Sequence, residues 1–165
     1  FQIPEGEERN VARLFDLAKQ DTAGFESYAA QIERLCGSGH DNCPAMEDIL
    51  DGLFHIAKAD GAIHDAELGF LNATAAAFKI DDSHYQTILA RHGASGEPDP
   101  YRVLGIKRGA NLEEARKVWR DLVRENHPDV LTGRGVPDEF IAIATERLKT
   151  INRAWKTLQA QLEPA

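Results

Sequence analysis

Apolar residues recur along this chain at three- and four-residue spacing, and no useful stretch alternates with period two. The pattern predicts an all-α fold. Val11, Leu14, Phe15 and Ala18 mark a helix over residues 4–20, with Pro4 in its first turn and Glu5, Glu7 and Glu8 at the positive end of its dipole. Phe25, Tyr28, Ile32 and Leu35 mark a second over 24–36. Met46, Ile49, Leu50, Leu53, Phe54 and Ala57 form the widest apolar face, on a helix from Pro44 to Ala59 that Gly61 ends, which makes it the centre of a first domain. Two more helices follow, Asp65–Phe78 and Asp82–Arg91.

After residue 99 the pattern predicts a helical hairpin. Asn111 and Glu114 stand at capping-box spacing before a stripe of Leu112, Ala115, Trp119, Leu122 and Val123. Arg116, Arg120 and Arg124 recur every fourth residue and share one face, with Lys117 beside them. His127-Pro128-Asp129 ends this helix, because proline disfavours the α region in the residue before it. The tripeptide then lies on a loop of about ten residues, the usual place for recognition side chains. Phe140, Ile141, Ala144, Leu148, Ile151, Ala154, Trp155 and Leu158 mark the longer return helix, which can pack antiparallel on the first.

The chain divides into a domain over 1–92, a linker over 93–99 rich in glycine, serine and proline, and a second domain over 100–162. So short a linker leaves the halves in touch. Within the first domain, Leu14–Asp21 echoes Leu53–Asp60, and Phe1–Glu5 echoes Phe78–Asp82, as in a duplicated helical unit. On that pattern a helix is missing before Phe1, and the uncovered apolar face is expected to drive self-association.

Charge separates the halves. Residues 1–97 carry 7 Lys+Arg against 17 Asp+Glu, and residues 98–165 carry 12 against 10, so an acidic domain precedes a slightly basic one. A general nucleic-acid binder carries a larger basic excess. The alternative of a helical nucleic-acid module therefore rests on the basic face of residues 112–126 alone. His127 and Asp129 lack a nucleophile partner, and there is no phosphate-binding glycine loop, so no enzyme chemistry or cofactor is expected. No apolar run approaches the eighteen or so residues that span a bilayer, and a cytoplasmic protein is expected, with an upstream anchor left open.

Two weak metal candidates stand out. Cys36, His40 and Cys43 share one loop, but they fit no common zinc spacing; oxidising conditions allow a disulfide across the loop, while in a reducing cytosol the two cysteines are expected as free thiols. Asp60, His64 and Glu67 fail the calcium-loop pattern, and capping of the next helix by Glu67 is the better account.

The residues named in the second half resemble a known family. Pro100–Gly105 looks like the first helix of a J-domain, Trp119–Leu122 with the tripeptide like its second helix and signature turn, and Leu148–Trp155 like its third-helix signature. Asp121, Glu125 and Val130 depart from the family pattern, as does Leu148, which stands where phenylalanine is frequent. In the first half, Ala57–Ile63 with Glu67 resembles the TerB-like helical domain, and the two in this order resemble DjlA-like co-chaperones. The resemblance implies a partner, a DnaK-type chaperone whose ATP hydrolysis is stimulated. It implies that His127, Pro128 and Asp129, with Asn126 and the basic face of Arg116, Lys117, Arg120 and Arg124, meet that partner. The acidic domain is then expected to recruit clients or partners.

Overall fold

The computed structural model describes residues 24–33, 42–93 and 99–163, with Arg9 and Arg13 also helical and exposed. Among them there is no strand, as the periodicity requires. The first half contains α1 (Phe25–Glu33), α2 (Pro44–Ala57), α3 (Asp65–Ala77) and α4 (Asp82–Arg91). The second contains α5 (Pro100–Leu104), α6 (Leu112–Glu125), α7 (Pro128–Gly133) and α8 (Asp138–Leu162). The helix expected over 4–20 lies otherwise outside the described residues.

α2 is the central helix of the first half. Its Met46, Leu50 and Phe54 are at most 1% exposed and pack against Leu71, Ala75, Phe78, Tyr85 and Ile88. Each such side chain contributes roughly 1.5–3 kcal/mol by leaving water. α2 stops earlier than expected, at Ala57, because Lys58–Asp60 tighten into a 3₁₀ turn before Gly61 at φ 104°. Asp81 caps α4 by accepting from the His84 N–H at 2.8 Å, and Asn42 exchanges two further hydrogen bonds with Asp81.

The second half forms its own core from Val103, Leu104, Ile151, Ala154 and Leu158, and Ala90 of α4 is buried among them. α4 therefore serves both halves and packs on α5 and α8. α5 starts at Pro100 behind Asp99, which accepts from the Tyr101 N–H at 3.1 Å. It ends at Gly105, whose φ of 68° few other residues adopt without strain. There the Ile106 and Gly105 amides bond back to Tyr101 and Arg102 in a Schellman arrangement.

α6 and α8 are the predicted hairpin. Asn111 and Glu114 exchange both capping-box hydrogen bonds at 2.9 Å. Trp119 stacks on Trp155 at 5.0 Å and donates from Nε1 to Asn152 at 2.8 Å. Arg116 lies above the Trp155 ring at 6.0 Å. Further along α6 the contacts move to earlier positions on α8, with Asn126 meeting Arg147, so the pair is antiparallel. The halves do touch, as the short linker implies: α2 packs on α8, with Gly52 facing Phe140 and Ile143.

Candidate functional site

The hairpin end is built by two opposing local rules. Pro128 has no N–H to continue α6, and Asn126 closes that helix with its own N–H on the Leu122 carbonyl at 3.0 Å. Yet proline suits the first position of a new helix, and α7 begins there. The expected long loop is thus interrupted by six helical residues. His127 is the cap: its Nδ1 accepts from the Asp129 N–H at 3.2 Å, which leaves Nε2 to carry the proton of a neutral ring. Leu131 is buried and anchors the turn, with its amide and that of Val130 on the His127 carbonyl. The His127 and Asp129 side chains remain 47% and 91% exposed.

A basic surface runs up to this turn. Arg116, Lys117, Arg120 and Arg124 are all exposed. Arg124 is engaged by Asp121 at 2.7 Å, a surface pair worth about 0–1 kcal/mol. Among the described residues, Arg116, Lys117 and Arg120 form no ion pair, so their charge faces solvent.

Asn126 does not join them at the surface. It is 6% exposed, donates from Nδ2 to the Leu122 carbonyl at 2.8 Å, and accepts from Arg147 Nη1 at 2.9 Å. Its assignment to partner contact is corrected: the side chain is spent inside the protein, completing the end of α6.

Arg147 itself escaped the sequence reading. Its side chain is only 8% exposed; Nη2 donates to Asp48 Oδ1 at 2.8 Å, and Nε makes an ion contact with Asp51 Oδ2. That second contact is electrostatic rather than a well-aligned hydrogen bond, since neither atom has one. Asp51, 1% exposed, is held on its other oxygen by His92 Nε2 at 2.7 Å, and His92 stacks on Phe54. Burial pushes the Arg147 pKa down, but Asp51, Glu47 and Asp48 outweigh it and raise it. Burial pushes Asp51 up, yet Arg147 and His92 bring it below the ordinary carboxylate range. Asp48 is raised, because burial outweighs its hydrogen bond from Arg147.

A second cluster adjoins the first. Glu47 of α2 accepts from His84 at 2.8 Å and from Arg91 at 2.7 Å, both on α4, and Arg91 Nε reaches the Val103 carbonyl of α5. Burial opposes the Glu47 charge, but the His84 hydrogen bond and the Arg91 and Arg147 charges hold its pKa at about 2. Between the clusters and the hairpin end lies a cavity of about 320 Å³, lined by Glu47, Asp48 and Arg91 on one side and by Leu122, Leu131 and Arg134 on the other.

The metal candidates resolve into other roles. Glu67 accepts from the His64 N–H at 2.8 Å, the capping contact expected of it, and Asp60 lies in the 3₁₀ turn. Cys43 is disulfide-bonded, which corrects the expectation of free thiols; sulfur committed to a disulfide has no thiolate to offer a metal. Cys36 and His40 lie outside the described residues.

Comparison with known proteins follows the same division. The family model for tellurite resistance protein TerB matches residues 1–90, and that for the DnaJ domain matches residues 99–163. Co-chaperone protein DjlA of Coxiella burnetii is 34% identical over 177 residues, 96% of this chain and 64% of that protein. DjlA of Vibrio vulnificus is 33% identical over 189 residues, 94% of this chain and 65% of that protein. DjlA of Photobacterium profundum is 25% identical over 183 residues, 94% of this chain and 64% of that protein. The chain thus spans a little under two thirds of these curated relatives. No solved structure matches it. With its first 90 residues matched by one helical model and a second behind it on the exposed histidine turn, the chain belongs to the TerB family and carries a DnaJ domain after the TerB domain.

Proposed function

We propose that this chain is the working part of a J-domain co-chaperone that binds a DnaK-type chaperone and stimulates its ATP hydrolysis. The observation that carries the proposal is the capped turn at His127. An imidazole and a carboxylate stand exposed at the end of α6, beside three cations that no described carboxylate neutralises. The cations supply long-range attraction to an acidic partner, and the rigid turn supplies the specific contact. Hydrolysis belongs to the partner; the chain itself performs no chemistry. For the TerB domain we propose client or partner recruitment. Its support is a groove of about 730 Å³ between α2 and α8, where Ile56 is 57% exposed beside Ala59, Ala142 and Ile143.

The test is steady-state ATP turnover by a DnaK-type chaperone with added chain. Wild type raises turnover, and His127→Gln does not. Melting of His127→Gln stays within about 1 kcal/mol of wild type, since the side chain is half-exposed and outside both cores and supplies only the single capping hydrogen bond of α7. Equal stimulation by the two proteins refutes the proposal.

A further inference from the structure

We propose that Arg147, held by Asp48 and Asp51 of the TerB domain, is a positioning residue for the His127-Pro128-Asp129 turn, so that the first domain sets the geometry of the second domain's signature turn. The part of this that concerns ATP turnover rests on the co-chaperone proposal; the part that concerns the turn does not.

The chain of contacts is short. Asn126 immediately precedes His127 and is fixed at three atoms: its N–H and Nδ2 both meet the Leu122 carbonyl, and its Oδ1 accepts from Arg147. Arg147 is the buried end of that support. Both of its carboxylate partners come from α2, none from the DnaJ domain that carries it. A guanidinium this buried keeps its place only while its charge is compensated. Asp51 is itself held by His92, which stacks on Phe54 at 4.7 Å. An arginine fork can serve three acceptors in fixed directions; a lysine is a point charge and cannot. The side chain of α8 therefore transmits the position of α2 to the residue before the histidine.

The experiment compares intact wild type with Asp51→Asn, Asp48→Asn and Arg147→Lys. Hydrogen exchange is read at the Val130 and Leu131 amides, which both donate to the His127 carbonyl, and at residues 116–121 of α6 as an internal control. The expected result is exchange about tenfold faster at Val130 and Leu131 in Asp51→Asn and Arg147→Lys, with the α6 control unchanged. Asp48 is 27% exposed, so Asp48→Asn keeps the Asp51 contact, folds with the least risk, and gives a smaller increase in the same direction. In ATP turnover, maximal stimulation falls about fivefold while the half-saturating concentration moves less than twofold, because the basic face that governs encounter is untouched. Unchanged exchange at the turn in all three variants overturns the inference. So does a uniform rise in exchange with normal stimulation per folded molecule, which marks a purely structural pair. A wild type that fails to stimulate removes the co-chaperone proposal instead, and the exchange comparison alone then decides this one.

Discussion

Neutralising Glu47 offers a measurement whose sign and size both follow from the structure. Its side chain is 15% exposed and ties α2 to α4 through His84 and Arg91. The fold holds its pKa at about 2 in place of 4.5, which corresponds to stabilisation on the order of 3 kcal/mol. Because the folded value is depressed, the stabilisation is complete above 4.5, the unfolded value, and is lost as pH falls through the interval down to about 2. Glu47→Gln keeps the shape and removes the charge. At pH 7 it should melt about 6–12 °C below wild type, taking 2–4 °C per kcal/mol for a chain of this size. Melting of both proteins by circular dichroism from pH 7 to pH 2 should show that gap hold steady, then close below about pH 4.5. The Glu47 charge also raises Asp48 and Asp51, so its removal relieves both carboxylates and moves the expected gap toward the lower end of that range. A gap that persists undiminished to pH 2 would show that the glutamine disturbs packing, and the electrostatic account of this clamp would be wrong.

Two further outcomes test the hairpin. Arg120→Glu should slow association with the partner severalfold, with the difference shrinking as salt rises; a loss independent of ionic strength would assign Arg120 to packing. Asn111→Ala should cost about 1 kcal/mol in urea denaturation by breaking the capping box, with ATP-turnover stimulation retained, and a change under about 0.2 kcal/mol would mean water replaces the cap at no cost.

What was legible in the sequence was local. The Asn111–Glu114 capping box, the Glu67 cap and the stripes through Trp119 and Trp155 each need only a few neighbouring residues, and each appears as expected. α7 is not legible in the sequence, because six residues carry too little periodicity and the cap is a histidine ring nitrogen rather than a hydroxyl or carboxylate. Arg147 is concealed because it sits between Ala144 and Ile151 on an apolar stripe, where a cation looks like an interruption. The available signal was that interruption, together with acidic Glu47, Asp48 and Asp51 at helical spacing on α2. Only the fold shows that the two match, since Asp48 and Arg147 are 99 positions apart. Asn126 misled for the related reason that a polar residue beside an exposed motif can still point inward.

The buried pair of Asp51 and Arg147 also has a meaning in time. On a ribosome the aspartate is made 96 residues before its arginine. At about 5–20 residues per second the interval is roughly 5–20 s. Until His92 is made, the nascent first half carries a core carboxylate with neither of its partners, and from then until Arg147 is made it has His92 alone. Domains commonly finish folding in the order they are made. Here the TerB domain is completed by α8, which is made after it, so its final packing waits on the synthesis of the DnaJ domain.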